Sequence, residues 1–124
     1  MLDFQNTPEV GAPALVPEQV VDRTHLGRMT LGDRSLENEV LRLFERQADM
    51  LIARMATATP ANIKALAHTL DGSARGIGAW RVSQAAKAVE RAVAENGDIG
   101  TAIAALKSAA DEALALIADM LQVH

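Results

Sequence analysis

The chain has 124 residues, contains no cysteine and carries a formal net charge of −4 at pH 7. This length predicts one domain that can bury a core without metals or disulfides. The lack of cysteine excludes disulfide and thiolate chemistry and favours a reducing cytoplasm. The negative charge argues against a nucleic-acid partner. No apolar run approaches the roughly 20 residues needed to span a membrane, and no charged segment precedes a signal-like apolar core, so we expect a cytoplasmic protein. We also expect a monomer.

The composition predicts an all-α fold. Hydrophobic residues make up 49% of the chain but aromatic residues only 2%. Such an Ala- and Leu-rich sequence favours helices, and β-branched residues never form the alternating runs that are typical of strands.

The N-terminal segment divides into a leader and a short helix. Residues 1–16 mix proline, glycine and polar residues without a sustained period, which indicates a flexible leader. A domain spanning residues 17–124 follows, because Pro17 suits a first helical turn. The short helix should end near Gly32, with a stripe formed by Val20, Val21, His25, Leu26 and Met29.

A long amphipathic second helix is predicted from Asp33 to about Ala56. Its apolar stripe repeats at three and four residues and comprises Leu36, Val40, Leu43, Phe44, Ala48, Leu51, Ile52 and Met55. A third helix begins where Thr59 can act as the N-cap and Pro60 as the first helical residue. It should run to about Arg75, before the glycines at 76 and 78.

Two further helices complete the chain. The fourth is predicted from Ala79 to about Glu95 and ends at Asn96-Gly97, and Asp98 then caps a final helix that reaches the C-terminus. Their stripes comprise Val82, Ala85, Ala86, Val89 and Val93, and then Ile99, Ile103, Leu106, Ala110, Leu114, Ile117 and Leu121. Short connections between four long amphipathic helices predict an antiparallel, up-down four-helix bundle with a short extra N-terminal helix.

His68 is the candidate reactive residue, because it projects from the third helix opposite the core stripe. At about 100° per residue, the core positions lie roughly 140–180° away from it. Its neighbours within roughly 60° are Ala61, Ala65 and Gly72 on one side and Lys64, Asp71 and Arg75 on the other. A glycine one turn after His68 is a destabilising choice in a helix. This pattern indicates an accessible nucleophile or a docking patch, with a helix–helix contact as the alternative.

The stretch Ala67-His68-Thr69-Leu70-x-Gly72-Ser73-Ala74-x-x-Ile77-Gly78 resembles the motif of histidine-containing phosphotransfer domains, the helical-bundle carriers of two-component phosphorelays. The resemblance covers roughly residues 33–96 when the flanking helices are included. It implies that His68 is phosphorylated, that Gly72 gives a partner room to approach, and that the second helix lies beside the site. On that basis we expect Phe44 and Gln47 at the docking surface.

The same resemblance implies which proteins this chain binds and which groups those partners supply to the transfer. The expected partners are receiver domains of response regulators, including those of a hybrid histidine kinase. The receiver would bring the acceptor aspartate and the Mg²⁺, so this chain needs no cofactor or metal of its own. We expect a phosphocarrier without autonomous kinase activity. Neutral imidazole has a lone pair that can attack phosphorus, which is consistent with this role.

Asp71 departs from the family pattern, which usually has a lysine three residues after the histidine. A surface carboxylate there would repel a phosphoryl group, so we expect Asp71→Lys to speed transfer several-fold. Lys64 and Arg75 could replace part of the missing positive charge. Two alternatives stay open. The chain could be a docking module that binds receivers without accepting phosphate, or it could be a purely structural helical bundle.

Overall fold

The computed structural model describes residues 20–122, and all regular secondary structure in that range is helical. The helices are α1 (Arg23–Met29), α2 (Arg34–Met55), α3 (Pro60–Ile77), α4 (Trp80–Ala94) and α5 (Ile99–Gln122). The predicted leader and the predicted helix start at Pro17 lie outside the described residues. Within them, the prediction of continuous helix from there to Gly32 is wrong, because Asp22 is in an extended conformation and caps α1.

Side-chain caps explain why three of the helices begin where the sequence predicted. Asp33 accepts a hydrogen bond from the Leu36 N–H at 3.1 Å. Thr59 accepts one from the Asn62 N–H at 3.3 Å, and Asp98 accepts one from the Thr101 N–H at 3.0 Å. Each cap satisfies a backbone donor that has no partner within the helix.

The long helices α2 to α5 form the predicted antiparallel four-helix bundle. Each helix packs against the next, and α2 closes the bundle by packing against α5. The short α1 packs against α3. Among residues 20–122, the core consists mainly of aliphatic side chains from every helix, and Phe44 is the one buried aromatic residue. Within residues 20–122, no helix combines the length and hydropathy that crossing a membrane requires.

The predicted stripe of α2 is displaced from the true core face. Leu36 and Leu43 are 38% and 46% exposed, whereas Leu41, which the stripe omitted, is 1% exposed. Met29 of α1 was also predicted as apolar stripe and is 59% exposed. The exposed side chains of Met29, Leu36 and Leu43 line an apolar groove between α1, α2 and α3.

Gly78 determines how α3 ends. Its φ of 77° lies in the left-handed region, and the next amide, that of Ala79, donates to the Ala74 carbonyl at 2.8 Å. The prediction that α3 ends near Arg75 is therefore short by two residues, because Gly76 is still helical. A Cβ at Gly78 would lie 2.8 Å from the Cβ of Asp22, so glycine also permits this close approach.

Asp22 fastens α1 to this end of α3. Its N–H donates to the Gly78 carbonyl at 2.9 Å, and its carboxylate accepts from the Trp80 indole at 3.1 Å. His25 packs on Trp80 with ring centroids 4.9 Å apart, and its Nε2 lies 2.9 Å from the Arg75 carbonyl oxygen. The hydrogen bond from the His25 backbone N–H, followed by that from Trp80, lowers the pKa of Asp22 below its usual value.

Candidate functional site

The outer face of α3 presents His68 to solvent, with 72% of its side chain exposed. Ala61, Ala65 and Gly72 are exposed on the same face, at the spacing of successive helical turns. The structure therefore brings these four predicted residues onto one ridge. We call it the α3 ridge.

Glu90 of α4 holds one nitrogen of the His68 ring. Its Oε1 lies 3.2 Å from Nδ1, and its side chain is only 20% exposed. An ionised carboxylate can only accept, so Nδ1 carries the proton in this hydrogen bond. In neutral imidazole the lone pair then belongs to Nε2. The contact thus favours the tautomer whose Nε2 has the free lone pair.

Asp71 is not the surface carboxylate that the sequence predicted. It is 3% exposed, accepts a hydrogen bond of 2.5 Å from the Ser83 hydroxyl, and lies 3.3 Å from Nε of Arg75. The prediction that it is an unpaired surface charge is wrong, because it pairs with Arg75 and with Ser83 and is buried against α4. Asp71 connects α3 to α4.

A shallow depression surrounds His68 on its α4 side, which we call the charged depression. It is lined by Lys64, His68, Asp71, Arg75, Lys87, Glu90, Arg91 and Ala94. Sequence reasoning found the residues of α3 but missed those of α4. The available signal was the spacing of Lys87, Glu90 and Arg91 at i, i+3 and i+4, which places them on one face of α4.

An apolar groove lies near the other side of the ridge, between α1, α2 and α3. It is lined by Leu26, Met29, Thr30, Leu36, Val40, Leu43, Phe44, Gln47, Ser73, Gly76 and Ile77. Phe44 was predicted as a surface residue, but it is 2% exposed and belongs to the core that underlies the groove. Gln47 is half-buried and accepts a hydrogen bond of 2.8 Å from Ser73, so it joins α2 to α3.

Gly72 is not required by the packing of this chain. A Cβ placed on it, or on Gly76 one turn later, would meet no atom within 4 Å. Alanine would be about 1 kcal/mol better than glycine at a helical position of this kind. The glycines therefore leave open space beside His68 at a cost in stability.

Among residues 20–122, His68, Asp71 and Glu90 form a group of metal-ligand types, with ligand atoms within 4.8 Å of one another. All three groups already have partners, since Glu90 contacts His68 and Asp71 contacts Arg75. A guanidinium beside the same carboxylate disfavours a second cation there. The donor arrangement therefore suits hydrogen bonding better than metal binding.

Comparison with known families identifies the chain. The family model described as Hpt domain matches residues 39–123, which is more than half of the sequence. The chain belongs to the Hpt domain family. Hpt domains are histidine-containing phosphotransfer modules of phosphorelays that interact with receiver domains, and they are phosphocarriers, not kinases. No match was found among curated proteins or among solved structures.

Proposed function

We propose that this Hpt domain carries a phosphoryl group on Nε2 of His68, between aspartates of receiver domains that include those of a hybrid histidine kinase. The observation that carries the proposal is the exposed imidazole whose Nδ1 is held by Glu90. An exposed Nε2 can reach a phosphorus atom presented by a partner. Because Glu90 already orients the ring, reaching the reactive geometry costs little further rotational entropy.

The transfer balances without a further reactant. The Nε2 lone pair attacks phosphorus, the bond between phosphorus and the aspartate oxygen breaks, and the aspartate leaves as a carboxylate. Nδ1 keeps its proton, so the phosphorylated ring is cationic, and the Glu90 carboxylate stabilises that charge through the same hydrogen bond. In the reverse step the protonated ring is a good leaving group. Mg²⁺ and the aspartate come from the receiver in this proposal.

The receiver docks over the α3 ridge, with Ala61, Ala65 and Gly72 beneath it. Support comes from the open space at Gly72 and from the adjacent apolar groove. Among residues 20–122, the large exposed hydrophobic side chains all lie on α1, on α2 or on the turn between them: Met29, Leu31, Leu36, Leu43 and Met50. Such a concentration is typical of a protein-binding surface. The proposal includes a monomeric carrier in a reducing cytoplasm, in keeping with the absence of cysteine.

Phosphorylation by a phosphorylated receiver tests the proposal. We expect acid-labile phosphate on the parent chain and on His25→Gln and His124→Gln, but none on His68→Gln. Labelling that persists in His68→Gln would contradict the assignment. Binding of the receiver without label would instead favour the docking-module alternative, and neither binding nor label would favour a structural bundle.

A further inference from the structure

We infer that Lys87 of α4 binds the phosphoryl oxygens when His68 is phosphorylated, and so supplies from the neighbouring helix the positive charge that α3 lacks at position 71. The inference rests on the proposed function, because it requires a phosphoryl group on His68. It differs from the expectation drawn from the sequence, which assigned that charge to Lys64 and Arg75.

Two contacts between α3 and α4 determine the position of Lys87 along the bundle axis relative to His68. Ser83 donates to Asp71, and Glu90 contacts His68. Lys87 lies one turn after Ser83 and three residues before Glu90, on the face of α4 that carries both. It therefore lies beside the gap between His68 and Asp71, and it borders the charged depression.

The ammonium group of Lys87 is available for a ligand. The residue is exposed, and none of the ion pairs within residues 20–122 includes it. Arg75 differs, because its Nε is 3.3 Å from Asp71 and its charge already serves a buried carboxylate.

The other two cations of the depression are less well placed. Lys64 lies one turn before His68 on the same helix, so His68 lies between Lys64 and the gap that Lys87 borders. Arg91 follows Glu90 and is therefore one turn further than Lys87 from the gap. We expect Arg91 to contribute to the positive electrostatic potential of the depression and Lys87 to contact the phosphoryl oxygens directly.

The charge balance of the site favours a further cation near the phosphoryl group. A phosphoryl group on nitrogen brings nearly two negative charges close to Asp71 and Glu90. Arg75 compensates Asp71, and the protonated imidazole compensates Glu90, so the cations of the depression that remain for the phosphoryl oxygens are Lys64, Lys87 and Arg91. A lysine ammonium is a compact point charge with three donors, which suits phosphate.

The test compares Lys87→Gln with Lys107→Gln, an exposed lysine of α5 that pairs with Asp111 outside the depression. Both substitutions remove one charge and keep a good helix former. Phosphorylation of His68 is followed with a phosphorylated receiver and, without any docking partner, with phosphoramidate. We expect Lys87→Gln to be about fivefold slower with both donors at low salt, as for an exposed charge pair, and less affected at high salt. Lys87→Arg should restore most of the rate.

Equal rates for Lys87→Gln and Lys107→Gln would overturn the role of Lys87 while leaving the proposed function intact. A larger loss in Arg91→Gln than in Lys87→Gln would also overturn it, because the direct contact would then belong to the other residue. Absence of any label on the parent chain with either donor would overturn the proposed function, and this inference with it.

Discussion

Replacement of Asp71 by lysine restores the residue that the family usually has, yet we expect it to destabilise this chain. Asp71 is 3% exposed, accepts a hydrogen bond from the Ser83 hydroxyl at 2.5 Å, and forms an ion pair with Arg75, whose Nε is 3.3 Å away. A lysine at this position cannot accept the hydrogen bond from Ser83 or pair with Arg75, and it adds a second cation beside the guanidinium. In the Asp71→Lys variant, the disturbed packing between α3 and α4 should keep the new lysine from binding the phosphoryl group.

The magnitude follows from the two lost contacts. Breaking a buried ion pair by removing one partner costs about 3–5 kcal/mol, but Arg75 is 52% exposed and water can solvate it after the substitution. We therefore expect Asp71→Lys to lower the free energy of unfolding by about 2–4 kcal/mol. Asp71→Ala should cost about as much, and Ser83→Ala about 1–2 kcal/mol.

Urea denaturation followed by circular dichroism measures these values. A double-mutant cycle between Asp71→Ala and Ser83→Ala should show a coupling of about 1–2 kcal/mol, since the two groups share one buried hydrogen bond. An Asp71→Lys variant that is as stable as the parent and transfers phosphate faster would refute this reasoning. The carboxylate would then act on the phosphoryl group as a surface charge after all.

The other predictions concern the ridge, the histidine contact and the attachment of α1. Gly72→Ala should raise the free energy of unfolding by about 1 kcal/mol. Gly72→Gln should slow transfer from a receiver but leave labelling by phosphoramidate unchanged. Equal transfer rates from the receiver to the parent and to Gly72→Gln would place the interface elsewhere. Glu90→Gln keeps an acceptor for Nδ1 and should retain most of the transfer rate, but Glu90→Leu should lower that rate about tenfold. Equal rates for these two variants would contradict the role of Glu90 in keeping the proton on Nδ1. Gly78→Ala should destabilise by about 2 kcal/mol in thermal melts, because it combines a positive φ with a contact to Asp22, and a neutral result would contradict the strain argument. The pKa of Asp22 is lowered in the folded state, so its stabilising contribution is present above pH 4 and is lost as the pH falls through the folded value. Asp22→Asn should therefore be less stable at pH 7, and the gap to the parent should narrow below pH 4; a constant gap from pH 2 to 7 would contradict this linkage.

The sequence predicted the features that depend on neighbouring residues along the chain. Thr59-Pro60 and Asn96-Gly97 mark helix boundaries through their own caps and turns, and the structure follows both. The outward direction of His68 also followed from the helical period alone. These predictions required no knowledge of how the helices pack.

What the sequence did not reveal depends on helix packing. Asp71 lies about 60° from His68 on the helical wheel, a boundary position that is exposed or buried according to where α4 lies. The contact of Glu90 with His68 spans 22 residues, and no periodicity within one helix determines the register between two. The predicted stripe likewise contained Leu43, which is exposed, and omitted Leu41, which is buried. Both residues suit an apolar stripe, and only the approach of the other helices distinguishes them.

The central claim is that Nε2 of His68 carries the phosphoryl group while Nδ1 stays protonated against Glu90. The most direct test is nuclear magnetic resonance of the phosphorylated chain with ¹⁵N-labelled histidine, which detects phosphorus–nitrogen coupling at individual ring nitrogens. We expect the coupling at Nε2 of His68, with a proton retained on Nδ1. Coupling at Nδ1 of His68, or at a nitrogen of any other histidine, would contradict the account.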